Sequence, residues 1–218
     1  MRVVIAGGHG QIALLLEQLL TTRGDAATAL VRNPDHFTDV REAGAVPVLC
    51  DLESETVDSV AAYLNGADAA VFAAGAGAAS GVARKDTVDY GAAALFASAA
   101  AAAGVRRFLQ VSTVGIEVAD SPSVDPEFAI YLKAKRLAEE DLKPRDLDWT
   151  ILRPGPLVND APTGLVTLAE PQLPRASVTR ADVAAVLAEL LNAPATIGKT
   201  LELTNGETPV AEAVKAVL

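Results

Sequence analysis

The stretch RVVIAGGHGQIALLLEQLL, residues 2–20, constrains the fold more than any other part of the chain. Residues 2–6 form a short β-branched apolar run of strand type. In residues 11–24, Ile12, Leu15, Leu16 and Leu19 share one helical face, and Gly24 is a helix stop. Between strand and helix lie Gly7, Gly8 and Gly10, followed by small Ala13, a G-x-x-G-x-x-A pattern. In that setting Gly7 permits a tight turn, Gly10 lets the helix start approach a pyrophosphate, and Ala13 allows close helix–sheet packing. The exposed N–H groups and the helix dipole then attract the anion. The same glycines also suit a plain tight turn, so the rest of the chain must decide.

The strand–helix alternation continues. Strands are expected at 27–32, 45–52, 67–75, 105–113 and 147–155, with helices at 33–44, 53–66, 83–103 and 124–144 between them. Asn33, Ser54 and Asp125 are the expected helix caps, with Pro34 and Pro126 at first helical positions. Pro47 places the third strand near an edge or a strand start. Nearly continuous apolar strands alternating with helices predict an α/β fold, a doubly wound parallel sheet of Rossmann-like type. After Arg153 the pattern changes. Residues 154–178 hold five prolines and read as loop with short strands such as 165–169. A helix over 179–192 capped by Thr179, a strand over 198–205, and a helix over 208–218 capped by Thr208 complete the chain. We expect one domain over 1–218, with 154–218 forming a short C-terminal substrate lobe.

Composition narrows the function classes. The formal charge of −10 argues against nucleic acid or an anionic membrane as partner, leaving a small-molecule substrate. Cys50 is the single cysteine and His9 and His36 the only histidines, so no disulfide, zinc or other metal site is expected. The opening residues do not read as a signal peptide and no stretch reads as a spanning helix, so a cytoplasmic protein, monomer or homodimer, is expected.

Strand ends suggest a cofactor. An NAD-selective site usually has an acidic residue after the second strand. Here VRNP offers Arg32, whose guanidinium suits a 2′-phosphate, with Asn33 as helper. NADP(H) is therefore expected over NAD, unless Arg32 is a solvated strand-end residue. Asp51 is placed either to accept from an adenine amino group, with Leu52 on the ring, or to shape a turn. Small Ala73, Ala74 and Gly75 let a dinucleotide cross the sheet edge, and His9 either bonds phosphate or caps the turn. Gln11, Ile12 and Val111 complete the candidate contacts.

YLKAK sets Tyr131 and Lys135 one turn apart on one helical face, after a strand ending in QVSTVG. An ammonium beside a phenol favours the tyrosinate, making the phenol a usable acid or base. Ser112 is placed to hold an oxygen on which charge develops. The alternative is a packed tyrosine beside a solvated basic face.

The segments IAGGHGQIA (5–13), VRNP (31–34), DLES (51–54), VSTVG (111–115), YLKAK (131–135), ILRPGPL (151–157) and VTRADVAAVL (178–187) span essentially the whole chain. In them the chain resembles the atypical short-chain dehydrogenase/reductases, in their NAD(P)-binding, NmrA-like or flavin-reductase-like branch. The resemblance implies a nicotinamide dinucleotide across the sheet, with Tyr131, Lys135 and Ser112 as the active-site set. It places Lys135 on the nicotinamide ribose, and Pro154 with the following residues beside the nicotinamide. The glycine loop departs from the T-G-x-x-x-G-x-G form of the typical reductases. The branch includes flavin and quinone reductases and also redox sensors that bind without turnover, many of them lacking the tyrosine. The implied activity is hydride transfer from NADPH to a small carbonyl, quinone or flavin-like acceptor. A non-catalytic sensor and a sugar-nucleotide epimerase or dehydratase are the alternatives.

Overall fold

A strand that is apolar at every position must be covered on both faces, because successive side chains point to opposite sides. The first strand, β1 (Arg2–Ala6), shows this directly: Val3 and Ile5 join the core on one face, Val4 and Ala6 the core on the other. The computed structural model describes residues 1–75 and 85–217. β1 leads through the glycine turn to α1 (Gln11–Thr22), then β2 (Ala26–Val31), a short helical turn (Pro34–His36), α2 (Phe37–Glu42) and β3 (Val46–Leu49). After α3 (Val57–Leu64) and β4 (Ala69–Phe72), a π-helical segment (Lys85–Ala92) runs into α4 (Ala93–Ala102). Next come β5 (Arg107–Val111), α5 (Pro126–Leu142) and β6 (Asp148–Pro154).

The remaining elements are β7 (Leu157–Val158), β8 (Leu165–Ala169), β9 (Val178–Thr179), α6 (Arg180–Leu190), β10 (Lys199–Asn205), β11 (Thr208–Pro209) and α7 (Val210–Ala216). The main sheet runs β11-β8-β10-β6-β5-β4-β1-β2-β3, parallel from β3 to β10, with β8 antiparallel to β10 and β11 antiparallel to β8. The order reverses at β1–β4, as in a doubly wound sheet. One core lies under α1, α6 and α7, and the other under α3, α4 and α5, where Phe96 joins Phe72 and Phe108 at centroid distances of 6.2 and 5.8 Å.

Most expected boundaries agree. Asn33, Asp125 and Thr179 accept from the amides of Asp35, Phe128 and Asp182, respectively, and Gly24 adopts φ +87° after α1. Pro47 lies in β3, at the sheet edge, where its missing N–H costs no ladder bond. Two caps differ. Thr56, not Ser54, caps α3 through a reciprocal box with Ser59, while the Ser54 hydroxyl donates to the Asp51 carbonyl inside the preceding turn. Thr208 does not cap α7, because β11 recruits it into pairing with Val166 of β8. The helix expected over 83–103 starts outside the described residues, and within them it is π-helical before Ala93.

Glu17 stands out in the core. It is fully buried on α1, and neither carboxylate oxygen meets a hydrogen-bond partner. Burial pushes its carboxyl up to about 8. Between its ordinary 4.5 and about 8, the folded chain holds this proton and the unfolded chain has released it. Stability therefore falls as pH rises through that window, by ~1.4 kcal/mol per unit at most. Glu17→Gln should raise the Tm at pH ~8 by several degrees and change it little at pH ~5. A Tm gain of equal size at both pH values would contradict this account of Glu17.

Candidate functional site

At the sheet's reversal point the helices that follow β1 and β4 lie on opposite faces, leaving a crevice beyond the strands' carboxyl ends. The glycine turn forms its floor. Gly7 has φ +77°, and a Cβ there would stand 2.5 Å from the Ala74 Cα, so both conformation and space exclude a side chain. A Cβ on Gly8 would lie 2.4 Å from the Ala29 Cβ. The turn satisfies itself: Gly8 N–H donates to the Leu30 carbonyl at 3.1 Å and Gly10 N–H to the Gly7 carbonyl at 2.8 Å. The first α1 bond to close on this turn is from Leu14 N–H to the Gly10 carbonyl. Among the described residues, nothing accepts from the N–H groups of Gln11, Ile12 or Ala13, and the first turn of α1 carries no acidic residue. These are the conditions for anion binding at a helix start.

Gly7, His9, Gly10, Arg32, Asp51, Leu52, Ala73, Ala74 and Gly75 all line one cleft here, together with His36, Cys50 and Glu53. Gly8, Gln11, Ile12, Asn33 and Val111 are not among its walls. Gly8 is pressed on β2, the Asn33 side chain is committed to its cap, and the Val111 carbonyl accepts from Lys135. The His9 imidazole stacks on His36 with centroids 3.6 Å apart, and its Nε2 lies 2.7 Å from Asp39 Oδ2. Arg32 is half exposed, with Glu53 3.8 Å away, and the Asp51 carboxylate accepts from the Glu53 amide within its turn. Asp51 thus shapes its turn even while lining the cleft. Sequence reading missed His36, whose approach depends on the helical turn after β2.

A second cleft of about 660 Å³ opens beyond β5 and β6, lined by Ser112, Tyr131 and Pro154. Tyr131 projects from α5 beside Phe128, with ring centroids 5.7 Å apart. Lys135, one turn later, is buried behind it, with Nζ 5.9 Å from the Tyr131 ring centroid and 3.1 Å from Asp89 Oδ1. Burial alone would lower the lysine's pKa, but Tyr131 and the Asp89 carboxylate outweigh it and hold the ammonium above its ordinary value. Asp89 comes from the π-helical segment, and a Cβ on Gly75 would approach its Oδ1 to 3.3 Å. The Lys135–Asp89 pair therefore spans from the wall of the first cleft to the tyrosine of the second.

Ser112 is buried, and its hydroxyl donates to Glu139 Oε1 at 2.7 Å. Its one proton is thus engaged by Glu139 in this structure. Glu139 continues the Tyr131–Lys135 face by one more turn and receives a two-pronged bond from Arg153 at 2.8 and 2.7 Å. Arg153 also reaches Glu117 at 2.5 Å. Burial opposes the Glu139 charge, but Arg153 and Ser112 hold its carboxyl below the ordinary range. Arg153→Met would strand this carboxylate in the interior and should cost ~3–5 kcal/mol in urea unfolding. Arg153→Met/Glu139→Leu should recover part of that loss. A single variant as stable as the parent would show that the network carries no such burden.

The comparisons with known proteins agree with this geometry. The NAD(P)H-binding family profile matches residues 7–194, and the chain belongs to that family. It is 35 % identical over 216 residues to the uncharacterized sugar epimerase YhfK of Bacillus subtilis (strain 168), across 99 % of each chain. A solved structure of a candidate NAD-dependent epimerase/dehydratase from Bacillus halodurans superposes with a TM-score of 0.92 at 39 % identity, covering 99 % of both chains. The anaerobillin reductase ChuY from Escherichia coli O157:H7 superposes with a TM-score of 0.77 at 27 % identity, covering 94 % of this chain and 97 % of that one. The resemblance to the atypical short-chain dehydrogenase/reductases therefore holds. Among the described residues no helix is long and apolar enough to cross a membrane, and no group of three or more His, Cys, Asp or Glu could hold a metal ion.

Proposed function

We propose that the chain is an NADP(H)-dependent reductase that passes hydride to a carbonyl, quinone or flavin-like acceptor in the second cleft. The observation that carries this reading is the buried Lys135–Asp89 pair: Asp89 sits on the segment whose Val88 and Ala92 line the nucleotide cleft, and Lys135 underlies Tyr131 of the second cleft. The open N–H groups at the start of α1 fit a pyrophosphate, and the close approach of Gly7 to Ala74 leaves the crevice floor free of side chains. Gly7, Gly10, Ala73, Ala74 and Gly75 would hold the dinucleotide, with Arg32 on the 2′-phosphate. The dinucleotide supplies the hydride when bound.

The protein's own groups do the rest. Tyr131 donates or relays the proton, and the fixed ammonium of Lys135 stabilises negative charge on its phenol. Lys135 is buried behind the ring, so positioning that phenol takes precedence over the ribose contact expected from the sequence. Arg153 and Glu139 hold Ser112 and the end of β5 in place beneath the cleft. Residues 154–218 supply much of the acceptor side through Gly155, Pro156, Leu157, Leu173, Arg175 and Arg180. The similarity to an anaerobillin reductase supports a reductase. The names borne by the two Bacillus relatives favour a second reading, an epimerase or dehydratase that uses the dinucleotide without net oxidation.

Net NADPH oxidation separates these readings. We expect stoichiometric oxidation with at least one acceptor from a panel of quinones, flavins and aldehydes. Absence of oxidation across the panel, with a sugar nucleotide interconverted instead, would establish the second reading. Tyr131→Phe should slow carbonyl reduction by ~10²–10⁴-fold and leave NADPH affinity unchanged, with a much smaller effect on a quinone or flavin. Unchanged carbonyl turnover would remove Tyr131 from the mechanism. Arg32→Ala should weaken NADPH by about tenfold or more while sparing NADH, since the guanidinium serves only the 2′-phosphate. Equal losses for both nucleotides would remove Arg32 as the selector.

A further inference from the structure

Glu17 is a buried ionisable group that the proposed chemistry does not use. It is the only charged residue of α1, it is fully buried, and both its carboxylate oxygens lack a hydrogen-bond partner. Long helical side chains lean toward the helix N-terminus. This one reaches the underside of the glycine turn, where a Cβ built on Gly8 would lie 3.2 Å from Glu17 Oε1. On the other side of that turn, Gly7, His9 and Gly10 line the nucleotide cleft. One turn of backbone thus separates the carboxyl from the place where a pyrophosphate would meet the open N–H groups of Gln11, Ile12 and Ala13.

An ionised Glu17 and a bound pyrophosphate compete for the same positive helix end and repel each other across this layer. Burial removes the solvent that would screen them. The charged groups on the surrounding elements do not neutralise the carboxyl. β2 carries none, and Arg2 stands at the far end of β1. On α6, Asp182 accepts from the Thr163 and Gly164 amides, Arg180 donates to Asn159, and Glu189 is exposed. On α2, Asp39 meets His9, which stacks on His36, while Arg41 lies over the Phe37 ring and Glu42 is exposed. Arg23, just past α1, binds Asp25 and the Ala188 carbonyl. Burial alone raises the Glu17 carboxyl to about 8, within the range of ordinary solution conditions.

Building on the reading of this cleft as a dinucleotide site, we infer that Glu17 is a proton-linked determinant of nucleotide affinity: the site binds with this carboxyl neutral, and ionisation of Glu17 weakens binding. By linkage, the complex then holds the proton more tightly than the free protein does. Binding in the range where free Glu17 is ionised takes up a proton, and affinity falls as pH rises. The effect acts on the pyrophosphate, so NADPH and NADH share it.

The full chain, shown folded by circular dichroism at both pH values, is titrated with each nucleotide at pH ~7 and pH ~9. Each Kd should rise about tenfold between them, and in Glu17→Gln by less than about twofold. His9 and His36 remain in that variant, so a step they cause would persist there. Calorimetry of the native chain at pH ~8.5, in two buffers of different ionisation enthalpy, should show uptake of roughly half a proton or more per nucleotide. A step seen with NADPH alone would trace to the 2′-phosphate and overturn the inference. A Kd independent of pH, a step that survives Glu17→Gln, or binding without proton uptake would also overturn it, leaving the nucleotide site standing. Failure of both nucleotides to bind at pH ~7 would sink the nucleotide reading and this inference together.

Discussion

The contact between the glycine turn and β4 governs the rest of the molecule. The Gly7 backbone approaches the Ala74 backbone so closely that no side chain fits, and its positive φ turns the chain away from β1 immediately. That turn delivers α1 to one face of the sheet with its first N–H groups unpaired. It also leaves the end of β4 bare, so the crevice at the reversal point has a floor of backbone and small side chains. A single methyl group at residue 7 would push apart the two strands whose junction is the crevice. The small residues at 73–75 keep that edge open.

Beneath the second cleft, charge is buried in pairs. Lys135 meets Asp89, and Glu139 meets Arg153, with Ser112 attached to the second pair. Such pairs contribute little net stability, because desolvation offsets attraction. Their effect is geometric: each side chain has one satisfied arrangement, and together they tie the face of α5 to β5, β6 and the π-helical segment. Tyr131 inherits its placement from this set. The cleft it faces is lined by Phe128, Val118 and Leu157 on its apolar side.

Much of the fold was legible in the sequence because its signals are local. Apolar runs, glycine turns and caps such as Asp125 act over three or four residues, and those elements appear where expected. Ser54 and Thr208 misled for the opposite reason. Their local pattern suits a cap, but a competing Thr56–Ser59 box took one and pairing with Val166 took the other. The site followed the same rule. The glycine turn and the Tyr131–Lys135 spacing were readable, since both are set by a few successive residues. Asp89, Glu139 and Arg153 were not, because their partners sit on separate elements and meet only once the sheet is wound. The bond from Ser112 to Glu139 was not legible either, since nothing local shows where its proton points.

The central claim is that the crevice at β1–β4 binds a nicotinamide dinucleotide, and direct titration tests it most plainly. NADPH and NADH fluorescence should be followed against increasing protein, with Gly7→Val as the comparison wherever circular dichroism shows it folded. The account predicts saturable binding at one site per chain, tighter for NADPH, and lost in the variant. Native protein that is folded and leaves both fluorescence signals unchanged, with no heat of binding by calorimetry, would contradict it.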